Sequence, residues 1–200
     1  MSEFGLTGGI GSGKSATSGR LEALGAGLVD ADATAKRLQV AGAPVFDAIV
    51  EHFGVEVLGD DGELNRPALA EIVFNDADQL KAINEIVHPA VRKEMAQQRE
   101  ILAQTHDVIV LDIPLLIEGT PIELAGIIVV DIPHELAIER LVSFRGFDEA
   151  DAHARIASQV TREERLAKAD FVVDNSGSIE DLDLEVARCW QWMMDVHKSS

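Results

Sequence analysis

The residues with the plainest chemistry stand near the front of the chain. Gly8-Gly9-Ile10-Gly11-Ser12-Gly13-Lys14-Ser15 fits G-x-x-x-x-G-K-[ST] at every fixed position. Glycines let a backbone wrap closely round an anion, and amides at the start of a helix turn partial positive charge toward it. On that reading Gly9, Gly11, Ser12, Gly13, Lys14, Ser15 and Ala16 grip the polyphosphate of a nucleotide. Lys14 bridges the β- and γ-phosphates, and the Ser15 hydroxyl holds Mg²⁺. The bland alternative is a glycine-rich turn before an ordinary helix.

A second chemical group is Asp30-Ala31-Asp32. A carboxylate there can take the proton of an attacking hydroxyl or hold a metal through water. Asp32 would equally serve as the N-cap of a helix beginning at Ala33. The third group is cationic. The formal net charge is −18, yet residues 140–168 escape the acidic excess through Arg140, Arg145, Arg155, Arg162, Arg165 and Lys168. A planar guanidinium suits phosphate oxygens, which makes Arg140 the leading candidate, with Arg145 and Arg162 behind it. A solvated helix face paired with nearby acids is the competing account.

These groups need elements to position them. The apolar run Glu3–Thr7 stops in glycines and passes into a helix-compatible stretch from Lys14 to Leu24, so the loop is expected between strand and helix. Gly25-Ala26-Gly27 breaks that helix, and Leu28-Val29-Asp30 reads as a second strand. Runs at 107–112, 126–131 and 170–174 are continuous rather than alternating, as strands buried on both faces of a parallel sheet should be. Helical patterns between them predict an α/β fold with five parallel strands and right-handed crossovers, the ligand lying at the carboxyl ends of the strands. Between the second and third strands lie about seventy-five residues, more than one crossover needs, with helical patterns near 43–53, 67–74 and 77–104. Residues 148–168 predict two short helices split at Thr161, and 178–197 one amphipathic helix with Cys189 on its buried stripe.

Composition narrows the partners. The acidic charge would repel a phosphate backbone, which argues against nucleic acid or an anionic membrane surface. With Cys189 as the single cysteine, no internal disulfide can form, and a reducing, cytoplasmic setting is expected. No apolar run reaches the ~18 residues needed to span a bilayer. Guanine recognition would need an Asn-Lys pair, and none of Asn65, Asn75, Asn84 and Asn175 precedes a lysine. A small-molecule kinase therefore stands first, ahead of a regulatory protein that binds ATP without transferring it.

The motifs in their order resemble one family. Leu6–Ser15, Val29-Asp30-Ala31-Asp32, Gly42-Ala43-Pro44, Phe53-Gly54, Asp61-Gly62-Glu63-Leu64-Asn65-Arg66, Val73-Phe74, His88-Pro89, Pro114-Leu115-Leu116-Ile117-Glu118 and Ala169-Asp170 through Gly177 are similar to dephospho-CoA kinase along nearly the whole chain. The resemblance implies a P-loop NTPase three-layer fold with a core at 1–40, 105–140 and 169–200, a helical substrate-binding insertion at about 41–104 and a lid at about 141–168. It implies transfer of phosphate from ATP, with Mg²⁺, to the ribose 3′-hydroxyl of dephospho-CoA; separately from the resemblance, a monomer is expected. By the same analogy Lys14, Asp32 and Arg140 are catalytic, with Asp32 the general base and Arg140 a lid residue. Arg66, His88 and Arg92, with Asp32, would contact the substrate, as would Asp61, with plain surface charge the alternative for Asp61, Arg66 and Arg92. Asn175 would lie by the adenine or else form a turn with Gly177. Glu118 would bind metal or brace the lid, and His88 would touch ligand or merely start a helix fixed by Pro89. The chain departs from the family pattern at Ala16, Lys36, Asn65 and Ser143-Phe144-Arg145-Gly146, the last of which leaves the register of Arg145 open.

Overall fold

The computed structural model describes residues 1–119 and 121–199. The chain divides into two compact units, 1–29 with 100–200, and 30–99.

The first unit is built on a five-stranded sheet. Its strands are β1 (Ser2–Gly8), β2 (Gly27–Asp30), β3 (Val108–Asp112), β4 (Gly126–Asp131) and β5 (Phe171–Asp174). Their order is β2-β3-β1-β4-β5, and β1 pairs in parallel with β3 and β4, as β4 does with β5. Every residue of β3 is buried, which is what its unbroken aliphatic run requires of a strand covered on both faces. The register places Leu6 beside Asp112, Gly8 beside Val130, and Asp131 beside Asp174. The end of β1 and three strand-terminal aspartates thus share one edge of the sheet, where ligands of such sheets bind.

Phe4, Leu6, Val108, Val110, Ile128, Val130 and Val173 from the strands form one core. Leu21 of α1 (Lys14–Ala23) and Leu182, Val186, Cys189 and Met193 of α9 (Ile179–Ser199) close over it. The expected placement of Cys189 holds: it is fully buried, and desolvation, with Glu185 adding its charge, pushes its thiol up to about 12. Since the thiolate is the reactive form, a thiol reagent at pH 8 should leave the native protein unlabelled while the urea-unfolded chain takes up one equivalent. Rapid labelling of the native protein would take Cys189 out of the core.

Helices α6 (His134–Arg145), α7 (Glu149–Ala157) and α8 (Arg162–Leu166) connect β4 to β5. Gly146 ends α6 in the left-handed conformation, φ 70°. Thr161 divides α7 from α8 as expected, through a capping box with Glu164.

The second unit is helical: α2 (Ala31–Leu38), α3 (Pro44–Phe53), α4 (Arg66–Asn75) and most of α5 (Ala77–Leu102). Val45, Phe46, Ile49, Phe53, Val57, Leu69, Val73 and Val87 make its core. The run Asp61–Arg66 acquires a structural account here. Asp61 accepts the Glu63 amide at 3.1 Å across a turn at Gly62, Leu64 is buried, and Asn65 caps α4 by accepting from Ala68 at 3.1 Å.

Two local expectations are corrected. The helix after β2 begins at Ala31, and its N-cap is Asp30, whose Oδ1 accepts from Ala33 N at 2.9 Å; Asp32 is left free of that duty. His88-Pro89 does not start a helix but lies inside α5. Proline interrupts a helix by removing one donor, but Ile83, Ile86, Val87, Ala90 and Val91 on both sides of it pack on the same core and carry the helix through. Among the described residues no helix is long and apolar enough to cross a membrane.

Candidate phosphoryl-transfer site

The loop between β1 and α1 takes its shape from its glycines. Gly11 and Gly13 have φ of 81° and 87°, a region in which a side chain is strained. A Cβ on Gly13 would also overlap Asn175 Nδ2. Ser12 N donates to Gly9 O at 3.0 Å and Ala16 N to Gly13 O at 2.9 Å. Among the described residues the N–H groups of Gly11, Gly13, Lys14 and Ser15 take no backbone acceptor. They are the orphan donors that a helix start offers to an anion. The Ser12 and Thr17 hydroxyls are buried with no hydrogen-bond partner among the described residues.

Lys14 reaches across to the tip of β3 and pairs with Asp112 through Oδ1. Asp112 is fully buried. Neither its carboxylate nor this pairing figured among the residues singled out in the sequence, although an acid ending a buried aliphatic strand was the available signal. On the other side of the loop, Asn175 Nδ2 donates to Ser12 O at 2.7 Å and its backbone N to Asp131 O at 3.0 Å. Arg140 Nη2 in turn donates to Asn175 O at 2.9 Å. Arg140, Asn175 and the loop thus form one hydrogen-bonded line, and the Asn175 amide is spent on holding the loop rather than on a turn with Gly177.

The other arginines separate. Arg162 grips both carboxylate oxygens of Asp131 at 2.6 to 3.2 Å, and that carboxylate raises its pKa above the ordinary value. Arg145 is exposed at the end of α6. Arg165 is buried beneath Gly9, with Nη2 donating to Val160 O at 2.9 Å. Burial lowers its pKa, against the raising influence of Glu118 and Asp131. Glu118 accepts from Val160 N at 3.3 Å, which ties it to the junction between α7 and α8. Gln159 Oε1 accepts from Ile10 N at 2.9 Å. Nothing in the sequence marked Gln159, because a lone glutamine between two helices has no distinguishing pattern.

In the second unit Asp32 is exposed in the first turn of α2. Arg66 donates to Gln39 Oε1 at 2.9 Å. His88 and Arg92 line a shallow groove of about 450 Å³ along α5, together with Lys81 and Asn84. Asn84, His88 and Arg92 follow one another at four-residue spacing and so share one face. Among the described residues no three His, Cys, Asp or Glu side chains gather as a metal cage. A divalent ion would have to be held by one or two protein groups together with phosphate oxygens and water, the coordination that suits Mg²⁺.

A description of the dephospho-CoA kinase family matches residues 3–181. The chain belongs to the dephospho-CoA kinase family. It is 44% identical to the dephospho-CoA kinase of Thermobifida fusca over 194 residues, covering 96% of both chains. With that of Streptomyces avermitilis it shares 46% over 191 residues, covering 95% of this chain and 93% of the relative. The crystal structure of TT1252 from Thermus thermophilus superposes with a TM-score of 0.82 at 33% identity, covering 96% of this chain and 97% of that one. Membership in the dephospho-CoA kinase family makes the chain a phosphotransferase to an alcohol group and gives the glycine loop its context. In this dephospho-CoA kinase fold the loop amides, Lys14, Asp112 and the Arg140–Asn175 line occupy one strand-tip region.

Proposed function

We propose that the protein transfers the γ-phosphoryl group of ATP to the ribose 3′-hydroxyl of dephospho-CoA, giving coenzyme A and ADP in the last step of coenzyme A synthesis, as a cytoplasmic monomer. The observation that carries this reading is the loop with its unclaimed amides and the Lys14–Asp112 pair, in a chain of this family.

Phosphoryl transfer asks for alignment and charge stabilisation rather than covalent work by the protein. The loop amides take the β-phosphate. Lys14 exchanges Asp112 for the β- and γ-oxygens, a short swing for a flexible ammonium. Ser15 and Asp112 are the groups that would hold Mg²⁺, and the ion would supply charge neutralisation for the phosphates. Arg140 stabilises the transferred group, and Asp32 accepts the proton of the 3′-hydroxyl. Asn175 keeps the loop in register beneath the nucleotide. Arg66 and Arg92 would bring positive charge, and His88 a ring nitrogen, to the anionic acceptor. Closure of residues 141–168 excludes water and limits idle ATP hydrolysis.

The test is incubation with ATP, Mg²⁺ and dephospho-CoA, followed by mass spectrometry to place the new phosphate, with AMP, shikimate and gluconate alongside. Phosphate on another acceptor, or ATP retention without transfer, overturns the reading. Arg140→Ala should lower kcat by about a hundredfold or more, as expected on losing one charge-stabilising donor, while Asn175 still holds Ser12. An unchanged kcat would remove Arg140 from the reaction.

A further inference from the structure

Gln159 sits at the junction of α7 and α8 and accepts the N–H of Ile10, at 2.9 Å. That N–H and the carbonyl of Gly9 belong to one peptide plane. The Gly9 carbonyl is itself engaged, accepting from Ser12 N at 3.0 Å. The plane is therefore pinned from both ends, by a turn inside the loop and by a side chain from 149 residues away. Glycine at position 9 gives the backbone freedom to flip this plane, and a flip would break the Ser12 turn and point a carbonyl where a donor had been. The anchor for Gln159 is firm. Val160 next to it donates to Glu118 at 3.3 Å and accepts from Arg165 at 2.9 Å. Arg165 is 9% exposed and lies against Gly9, where an added Cβ would stand 3.1 Å from Nη1.

We infer that Gln159 is a positioning residue for phosphoryl transfer: it fixes the Gly9–Ile10 peptide and so ties the return from the lid segment to the mouth of the phosphate loop. This rests on the kinase reading given above. Gln159 touches no reacting atom; it acts through Ile10. The amides of Gly11, Gly13, Lys14 and Ser15, which take the β-phosphate, do not depend on it, so its loss should fall on turnover and spare ADP binding.

The experiment compares the intact enzyme with Gln159→Ala and Gln159→Glu. Expected for Gln159→Ala is a fall in kcat of about tenfold, the scale of a small misalignment at a reacting centre, with the Kd for Mg·ADP within about twofold of the parent value and faster hydrogen exchange at the Ile10 amide. Gln159→Glu keeps an acceptor oxygen at the same reach and should restore both exchange protection and most of kcat. Unchanged kcat in both variants overturns the inference, as does an equal fall in both. Parallel loss of ADP affinity, kcat and Tm in Gln159→Ala would make the residue a general brace and also overturn it. A parent enzyme that fails to phosphorylate dephospho-CoA sinks the kinase reading instead, and the Ile10 exchange measurement still reports on the peptide.

Discussion

Lys14→Met should lower kcat for dephospho-CoA phosphorylation by at least about a hundredfold, the scale set by loss of a preorganised charge at the transferring group. It should also destabilise the fold, and the second effect follows from the pairing with Asp112. Asp112 is fully buried and its side chain faces the Lys14 ammonium. A buried carboxylate deprived of its counter-charge costs about 3–5 kcal/mol, which in a domain of this size corresponds to a Tm lowered by roughly 6–20 °C. Asp112→Asn removes the charge while keeping the shape, so its cost to stability should be smaller. On the proposed mechanism its activity should still fall about a hundredfold, because the carboxylate that would help hold Mg²⁺ has lost its charge. The double variant decides whether the two act as a pair. Its Tm should recover much of what Lys14→Met loses, since no uncompensated charge remains, while kcat should be no lower than in the worse single variant. Calorimetry and steady-state rates on the four proteins check this. Additive losses in Tm would mean that the pair is not coupled.

That pairing also marks the limit of what could be seen in the sequence. The strands were legible because β3 and its neighbours are covered on both faces, and such strands are written as unbroken aliphatic runs. The loop was legible because its chemistry demands glycine at fixed positions, and Gly11 and Gly13 have the positive φ that explains the demand. Contacts between distant residues carry no such pattern. Asp112 meets Lys14 only because the register sets Leu6 beside Asp112. Asn175 reaches Ser12, and Gln159 reaches Ile10, across about 160 and 150 residues. The choice between Asp30 and Asp32 as helix cap was of another kind. Both have the right side chain, and the decision lay in the backbone, extended at Asp30 with φ −96° and ψ 115° and helical from Ala31 onward. Likewise, Pro89 argued for a helix boundary until the apolar residues on both sides were found in one core.

Because Asp30 does the capping, the two acids of Asp30-Ala31-Asp32 can be told apart by substitution. Asp30→Ala removes the acceptor for Ala33 N and should cost about 1 kcal/mol, the usual loss for an N-cap. Asp32→Asn leaves the cap bond from Ala33 N to Asp30 in place and removes only a weak favourable charge in the first turn, worth about 0.3–1 kcal/mol. Its stability should therefore stay close to the parent value. Its chemistry should not. An amide of the same shape cannot accept the proton of the 3′-hydroxyl, so kcat should fall by about a hundredfold or more, the range for a positioned general base. Binding of ATP, held by the loop and Lys14, should be unaffected, so the KM for ATP should hold within about threefold while kcat collapses. Raising the pH should recover part of the Asp32→Asn rate through hydroxide, which substitutes for the missing base. Full activity in Asp32→Asn would end its assignment as the base and move the search to another acid at the substrate, whereas a lost KM for ATP with kcat intact would make Asp32 part of nucleotide binding.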